Sequence, residues 1–295
     1  MKNKICVGLF GSKYHINLLK QQLNNSNDFI YPRILEINLS NFYLKLSQVD
    51  IYHGIYAWYN WKQYFLAKLL GKKTICHWIG SDILQVLKNR KSRLKVKLLD
   101  GIIDLHLAGS ETLVEELRTV GIKAQWMPLV SQIEVVSIPP FPQRFSVLSY
   151  VSDTRPEFYG MSFICKLAQE FPDVDFLIVG TKGRELEKKS NVAYLGWQKD
   201  MRKIYNRTTV FLRFPQHDGL SLSVLESMAF GRQVIWNNKF PYCHYARTYD
   251  EAKKALIKIK NNPTANYEGA RYVREEFNTK KIVSNLTAIY MKVTE

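Results

Sequence analysis

Two carboxylates beside a glycine-bearing turn carry the first chemical signal. Residues 217–235 read HDGLSLSVLESMAFGRQVI, with Asp218 and Glu226 separated by seven residues. FLRF (211–214) has the make-up of a strand end, PQHDG (215–219) that of a turn, and LSLSVLESMAF (220–230) is helical in period. Leu222, Leu225, Met228 and Ala229 mark its apolar side; Gly231 suits a left-handed stop, and a strand follows. A helix starting at the carboxyl end of a strand offers unpaired amides and a positive dipole end, which suits a phosphate. Gly219 lets the backbone approach such a ligand closely. Carboxylate–hydroxyl hydrogen bonds are charge-assisted, worth roughly 1.5–3 kcal/mol each, and their geometry suits a polyol. One acid on the turn and another about one helical turn inside would hold two parts of one extended ligand. A local alternative exists for Glu226: Ser223 as N-cap and Glu226 at the third helical position form a capping box. That alternative leaves Asp218 and Gly219 unexplained.

The stretch DGLSLSVLESMAFGRQVI resembles the E-x7-E signature of retaining glycosyltransferases of GT-B fold, family 4 above all, in its glycine, glutamate, Met-Ala pair, second glycine and Val-Ile strand. DVDFLIVG, NVAYLGWQKDMRKIYNRTTVFLRF and EEFNTKKIVSNLTAIY are similar to the same family's C-terminal domain; DIYHGIY, HWIGSD and LHLAGS resemble its first domain more weakly. The resemblance implies that Glu226 accepts hydrogen bonds from the ribose of a nucleotide-sugar and that Asp218 holds hydroxyls of the donor sugar. It places the amides of Gly219, Leu220 and Ser221 near the donor sugar and diphosphate; Leu222 is a further donor-side candidate, and His217, which abuts the signature, either touches the donor or shapes the turn. Such enzymes also carry an arginine and a lysine on the first loop of the second domain, to neutralise the leaving diphosphate. Here that loop, SYVSDTRPEFYGMS, holds Asp153 and Tyr159 at the matching positions. Arg155, in the same loop, and Arg213, at the strand end before the signature, are the replacements expected.

The elements that must position these residues follow a regular alternation. Short apolar strands at 4–10, 33–39, 50–56, 73–79, 104–109 and 124–129 alternate with helical segments at 13–24, 60–71, 82–100 and 111–120. SIPPFPQ (137–143) has three prolines in four residues and reads as a linker. The alternation restarts with strands at 145–152, 174–180, 192–196, 209–214 and 233–237, and closes with helices near 250–261, 264–277 and 279–292. The expected fold is α/β of GT-B architecture: two Rossmann-like, doubly wound parallel-sheet domains facing a cleft. The expected division is 1–137 for an acceptor domain and 138–295 for a donor domain, with the last helix able to pack back on the first.

Composition narrows the partners. The chain has 295 residues, a hydrophobic fraction of 46% and a formal charge of +16. No apolar run approaches the ~18 residues of a membrane span, and the apolar part of KNKICVGLFG is too short for a signal peptide, so it reads as a strand. Four dispersed cysteines suit a reducing compartment and argue against a zinc site or disulfide framework. KNRKSRLKVK (88–97) holds six basic residues and no acid. Flanked by apolar residues, it reads as a basic amphipathic helix for an anionic membrane, with a solvated helix face as the bland alternative; no nucleic-acid motif accompanies it. The aromatic run IYAWYNWKQYF (55–65) suits core or membrane-interface packing.

Weaker candidates complete the set. GLFGS (8–12) brings Gly8 and Gly11 toward phosphates; His77 and Asp82 in HWIGSD, and His53 in DIYHG, stand near strand ends, where they would orient the acceptor or donor sugar. DVD (173–175) matches a metal-binding D-x-D but reads as strand-entry acids, so no metal and no resident cofactor are expected. The reading is a retaining, metal-independent cytoplasmic glycosyltransferase. Its donor is a UDP- or GDP-linked sugar and its acceptor a glycan or lipid-linked saccharide at the membrane. The alternatives are a degenerate GT-B binding module and a sugar-nucleotide 2-epimerase.

Overall fold

The computed structural model describes residues 4–26, 29–35, 39–56, 60–130, 133, 137–183 and 189–295. The chain divides into two compact units, Met1–Gln132 with Phe277–Glu295, and Ile133–Glu276.

In the first unit the strands are β1 (Ile5–Gly11), β2 (Ile30–Ile34), β3 (Ile51–Ile55), β4 (Lys73–Trp78), β5 (Leu105–Ala108) and β6 (Ala124–Trp126). Its helices are α1 (Lys13–Ser26), α2 (Leu39–Ser47), α3 (Trp61–Leu69), α4 (Ser81–Lys88), α5 (Arg90–Asp100), α6 (Glu111–Thr119) and, from the C-terminus, α12 (Thr279–Thr294). The sheet is parallel, in the order β2-β1-β3-β4-β5-β6. Right-handed crossovers put the helices that step from β2 toward β6 on one face. There Phe42, Leu46, Tyr64, Ala67, Val86, Val96, Leu99 and Leu113 share a core. α1 and α12 pack together on the other face. At the reversal of strand order, Gly11 (φ 124°) lies so close to β3 that a Cβ would sit 1.8 Å from the Ile55 carbonyl oxygen. This close approach accounts for the glycine.

The second unit has β7 (Ser146–Tyr150), a 3-10 turn (Glu157–Tyr159), α7 (Met161–Glu170), β8 (Asp175–Val179), β9 (Val192–Gly196), α8 (Arg202–Asn206) and β10 (Val210–Arg213). These are followed by α9 (Leu222–Ala229), β11 (Gln233–Trp236), β12 (His244–Tyr245), α10 (Tyr249–Asn261) and α11 (Tyr267–Glu276). All its strand pairs are parallel, in the order β12-β11-β10-β7-β8-β9. The order therefore reverses between β7 and β10. At such a switch point the loops after two adjacent strands diverge and leave a crevice at the carboxyl ends. The proline-rich segment is fastened to this unit. Fully buried Arg232 donates to the Pro139 carbonyl at 3.0 Å and to that of Pro140, and lies over the Phe141 ring. Burial pushes its pKa down to about 10.

Several boundaries differ from the sequence reading. The strand expected at 33–39 is β2 at Ile30–Ile34, and α2, which was not expected, occupies Leu39–Ser47. The strand expected over 124–129 stops at Trp126. β12 is a two-residue edge strand, too short to leave a pattern.

Candidate functional site

The switch point of the second unit brings together the loop after β7 and the turn after β10. They are tied by the Gln216 amide, which donates to the Phe158 carbonyl at 2.8 Å. Gly160 (φ 80°) ends the 3-10 turn, and a Cβ there would lie 2.6 Å from the Phe214 carbonyl oxygen. Only glycine permits both the left-handed backbone and this approach.

Arg213, the last residue of β10, is 8% exposed and grips Asp218 with two bonds: Nε to Oδ2 at 2.7 Å and Nη2 to Oδ1 at 3.0 Å. The guanidinium lies 5.1 Å from the Tyr159 ring centroid and 5.8 Å from that of Tyr150. Burial opposes the charge, but the Asp218 carboxylate and the two tyrosines outweigh it and raise the arginine's pKa. Arg155 reaches the same aromatic group, over Phe158 at 4.8 Å and Tyr159 at 5.9 Å. The two arginines singled out from the sequence thus flank one ring, Tyr159, while Asp153 accepts from the Lys182 amide. Asp218 is neutralised by a fixed partner, so an anionic ligand near it meets a balanced pair rather than a bare carboxylate.

Glu226 projects from α9. The helix starts at Leu222 with Ser221 as N-cap, and the Ser221 hydroxyl bonds the Ser223 hydroxyl at 3.0 Å rather than a backbone amide. Ser223 is therefore inside the helix and Glu226 is its fifth residue, which overturns the capping-box alternative. The carboxylate instead accepts the Tyr205 hydroxyl at 2.6 Å. Tyr205, on α8, is 1% exposed and packs with its ring tilted against Phe230, centroids 5.2 Å apart; burial, and then the Glu226 charge, hold its pKa well above the usual value. No sequence signal was assigned to Tyr205, although a large aromatic on the inner side of a short helix before β10 was visible. Gly219 and Ser221 are buried in the turn, His217 and Leu220 half-buried, and the Asn238 side chain donates to the Asp218 carbonyl.

The candidates of the first unit form a different arrangement. His53 and His77 are fully buried, with His53 Nδ1 2.7 Å from the Tyr290 hydroxyl, His53 Nε2 3.3 Å from His77 Nδ1, and His77 Nε2 2.7 Å from the Met127 carbonyl oxygen. A carbonyl only accepts, so His77 carries its proton on Nε2 and accepts on Nδ1. His53 then donates from Nε2 and accepts the tyrosine proton on Nδ1. Every polar atom of the chain Tyr290–His53–His77–Met127 is thereby paired. Burial holds both imidazoles neutral, with the His77 pKa near 4. Asp82 is 1% exposed and accepts the amides of Ile79, Gly80 and Ile83, shaping the entry to α4; burial raises its pKa to about 6 despite these bonds. In place of the expected acceptor-facing roles, these three side chains hold strand ends and the C-terminal helix.

The DVD acids stand at the opposite, amino end of β8, where Asp173 pairs with Lys260, and Asp175 with Arg144 at 2.8 Å. Among the described residues no group of three or more His, Cys, Asp or Glu side chains converges on one point.

Residues 146–265 match the sequence model of a family described as Glycosyl transferases group 1. No match was found among curated protein sequences. Anabaena Alr3699/HepE in complex with UDP-glucose superposes with a TM-score of 0.77 at 11% identity, over 97% of this chain and 99% of that one. Sucrose-phosphate synthase from Thermosynechococcus elongatus gives 0.71 at 13%, over 98% and 99%. A variant of S. aureus TarM gives 0.64 at 13%, over 81% of this chain and 55% of that one. With the signature and the switch point in its second unit, the chain has the GT-B fold, and residues 146–265 of it are similar to the group 1 glycosyl transferases.

Proposed function

We propose that the β7/β10 edge of the second unit binds a UDP-linked sugar and that the chain transfers the sugar to a hydroxyl acceptor with retention of configuration. The observation that carries this reading is the placement of Glu226 and of the Arg213–Asp218 pair at one switch point, on the two sides of the N-terminus of α9. HepE, of similar fold, was solved with UDP-glucose, which favours uridine over guanosine. Glu226 holds the ribose hydroxyls, with Tyr205 fixing one of its oxygens. Asp218 holds donor-sugar hydroxyls. The amides of Gly219, Leu220 and Ser221 and the first turn of α9 face the diphosphate, with His217 and Leu222 beside it. Arg155 supplies net positive charge in place of the usual arginine–lysine pair, while Arg213 cancels the charge of Asp218 and leaves its guanidinium edge to the leaving group.

In the transfer, the acceptor oxygen bonds the anomeric carbon on the face from which the diphosphate leaves. The anomeric C–O bond breaks, its electron pair stays on the UDP, and the acceptor proton passes to a diphosphate oxygen. The protein's tasks are orientation and charge stabilisation, without a metal. The acceptor is a glycan or lipid-linked saccharide at a membrane surface.

The test is thermal shift with a panel of nucleotides and nucleotide-sugars, followed by donor hydrolysis. Stabilisation by uridine nucleotides with slow release of free sugar supports the reading. Stabilisation without turnover points to a binding module, and no response to any nucleotide contradicts the donor site.

A further inference from the structure

The helical face of the first sheet has an outer surface that the donor site does not use. α2, α3 and α5 join strands that advance in one direction across the sheet, so they lie in one layer. Each buries one side: Phe42 and Leu46, Tyr64 and Ala67, Val96 and Leu99. Their outward sides are apolar as well. α3 presents Trp61, Phe65 and Leu69, exposed by 46, 51 and 68%, at a spacing of four that makes one stripe. α5 presents Leu94 and Leu98 at the same spacing, exposed by 56 and 79%. Around these stripes the charge is predominantly basic. Residues 39–104 contain eleven lysines and arginines against four acids, Asp50, Asp82, Asp100 and Asp104; Asp104 pairs with Lys68 and Asp100 faces His106. Asp82 is buried, and Asp50 accepts the Cys6 amide.

We infer that the outward face of α3 and α5 is an insertion surface for an anionic lipid bilayer. Charge alone would serve a polyphosphate or an acidic protein. Exposed tryptophan, phenylalanine and leucine among lysines suit a phase that is anionic at its surface and apolar just beneath. With nine and eleven residues the two helices are too short to span a bilayer, so they lie in its plane. The stripes enter the acyl boundary and the basic residues meet the headgroups. The surface extends beyond the basic run Lys88–Lys97 to α3, and makes the contact one of insertion as well as attraction. It rests on the proposed membrane acceptor only for its purpose; lipid binding and donor binding are measured separately.

The experiment is co-sedimentation of the full chain with phosphatidylcholine vesicles, with and without a one-third fraction of phosphatidylglycerol. Two charge-neutral pairs of substitutions are compared, Trp61→Ser with Phe65→Ser and Leu94→Ser with Leu98→Ser, each checked for folding by circular dichroism. The wild type is expected to bind only the anionic vesicles. Each pair is expected to reduce partitioning by roughly tenfold or more, because apolar area is lost at constant charge. The inference is overturned if the serine variants bind as the wild type does, which leaves charge alone, or if the wild type ignores anionic vesicles. UDP binding is unchanged in these variants; its absence in the wild type would refute the donor reading and leave this one standing.

Discussion

The Arg213–Asp218 pair gives a prediction with opposite consequences for its two halves. Asp218→Asn keeps an acceptor for one of the two bonds at 2.7 and 3.0 Å but removes the charge, leaving an 8%-exposed guanidinium with only the faces of Tyr150 and Tyr159. A buried ion left without its partner costs about 3–5 kcal/mol, and the retained amide oxygen and the two rings bring the expected loss to about 2–3 kcal/mol. Arg213→Met leaves Asp218 beside the N-terminus of α9, whose amides suit a carboxylate, so about 1–2 kcal/mol is expected. The double variant places an apolar chain opposite a neutral amide and is expected to cost less than the sum, with a coupling of about 2 kcal/mol. Urea unfolding of the four proteins measures it. A coupling below about 0.5 kcal/mol would mean that the pair does not hold the turn, and the balanced-charge argument for the anion site would fall with it.

Tyr205→Phe removes one charge-assisted bond to Glu226 and is expected to weaken UDP binding by about five- to tenfold; unchanged affinity in calorimetry would remove Tyr205 as a positioning residue. Arg155→Ala is expected to lower donor turnover by about tenfold or more while leaving stability within about 0.5 kcal/mol, since only stacking on Phe158 and Tyr159 is lost. Equal loss of stability and turnover would mark it as structural. Acid unfolding tests the buried groups of the first unit. His77 and His106 have pKa values lowered by burial from 6.5 to about 4, so their contribution is complete above pH 6.5 and is lost as pH falls toward 4, about 3 kcal/mol each. Asp82, raised to about 6, acts in the opposite sense and returns about 2 kcal/mol over the same range. The urea midpoint is therefore expected to fall on acidification, and to fall more steeply in Asp82→Asn; a flat profile in both proteins would contradict these environments.

The second unit of the fold was legible because its signals are local. The turn, the helix period and Gly231 are adjacent in sequence, and each agrees with the next. The Arg213–Asp218 bond was not, because the four intervening residues decide whether the two side chains meet. The surroundings of the two histidines were not legible for a related reason. A histidine near a strand end looks the same in sequence whether it faces a ligand or a carbonyl. Here both flanks are buried, as the unbroken burial of Ile51–Ile55 shows, and the partner Tyr290 is 237 residues away from His53. α2 was missed although Phe42 and Leu46 keep a helical spacing; nine residues give too few repeats to override the strand-like pattern of RILEINL (33–39) before them. Trp58 and Tyr59 of the aromatic run lie outside the described residues, whereas Trp61 and Phe65 of the same run belong to the outward stripe of α3.

The central claim is that Glu226 is a ribose clamp at a uridine nucleotide site. Calorimetric titration of UDP into the wild-type chain and Glu226→Ala tests it most directly. Loss of two charge-assisted bonds, roughly 1.5–3 kcal/mol each, predicts at least a hundredfold weaker binding in the variant with its fold intact. Equal affinity in the two proteins, or no UDP binding by the wild type, would contradict the account.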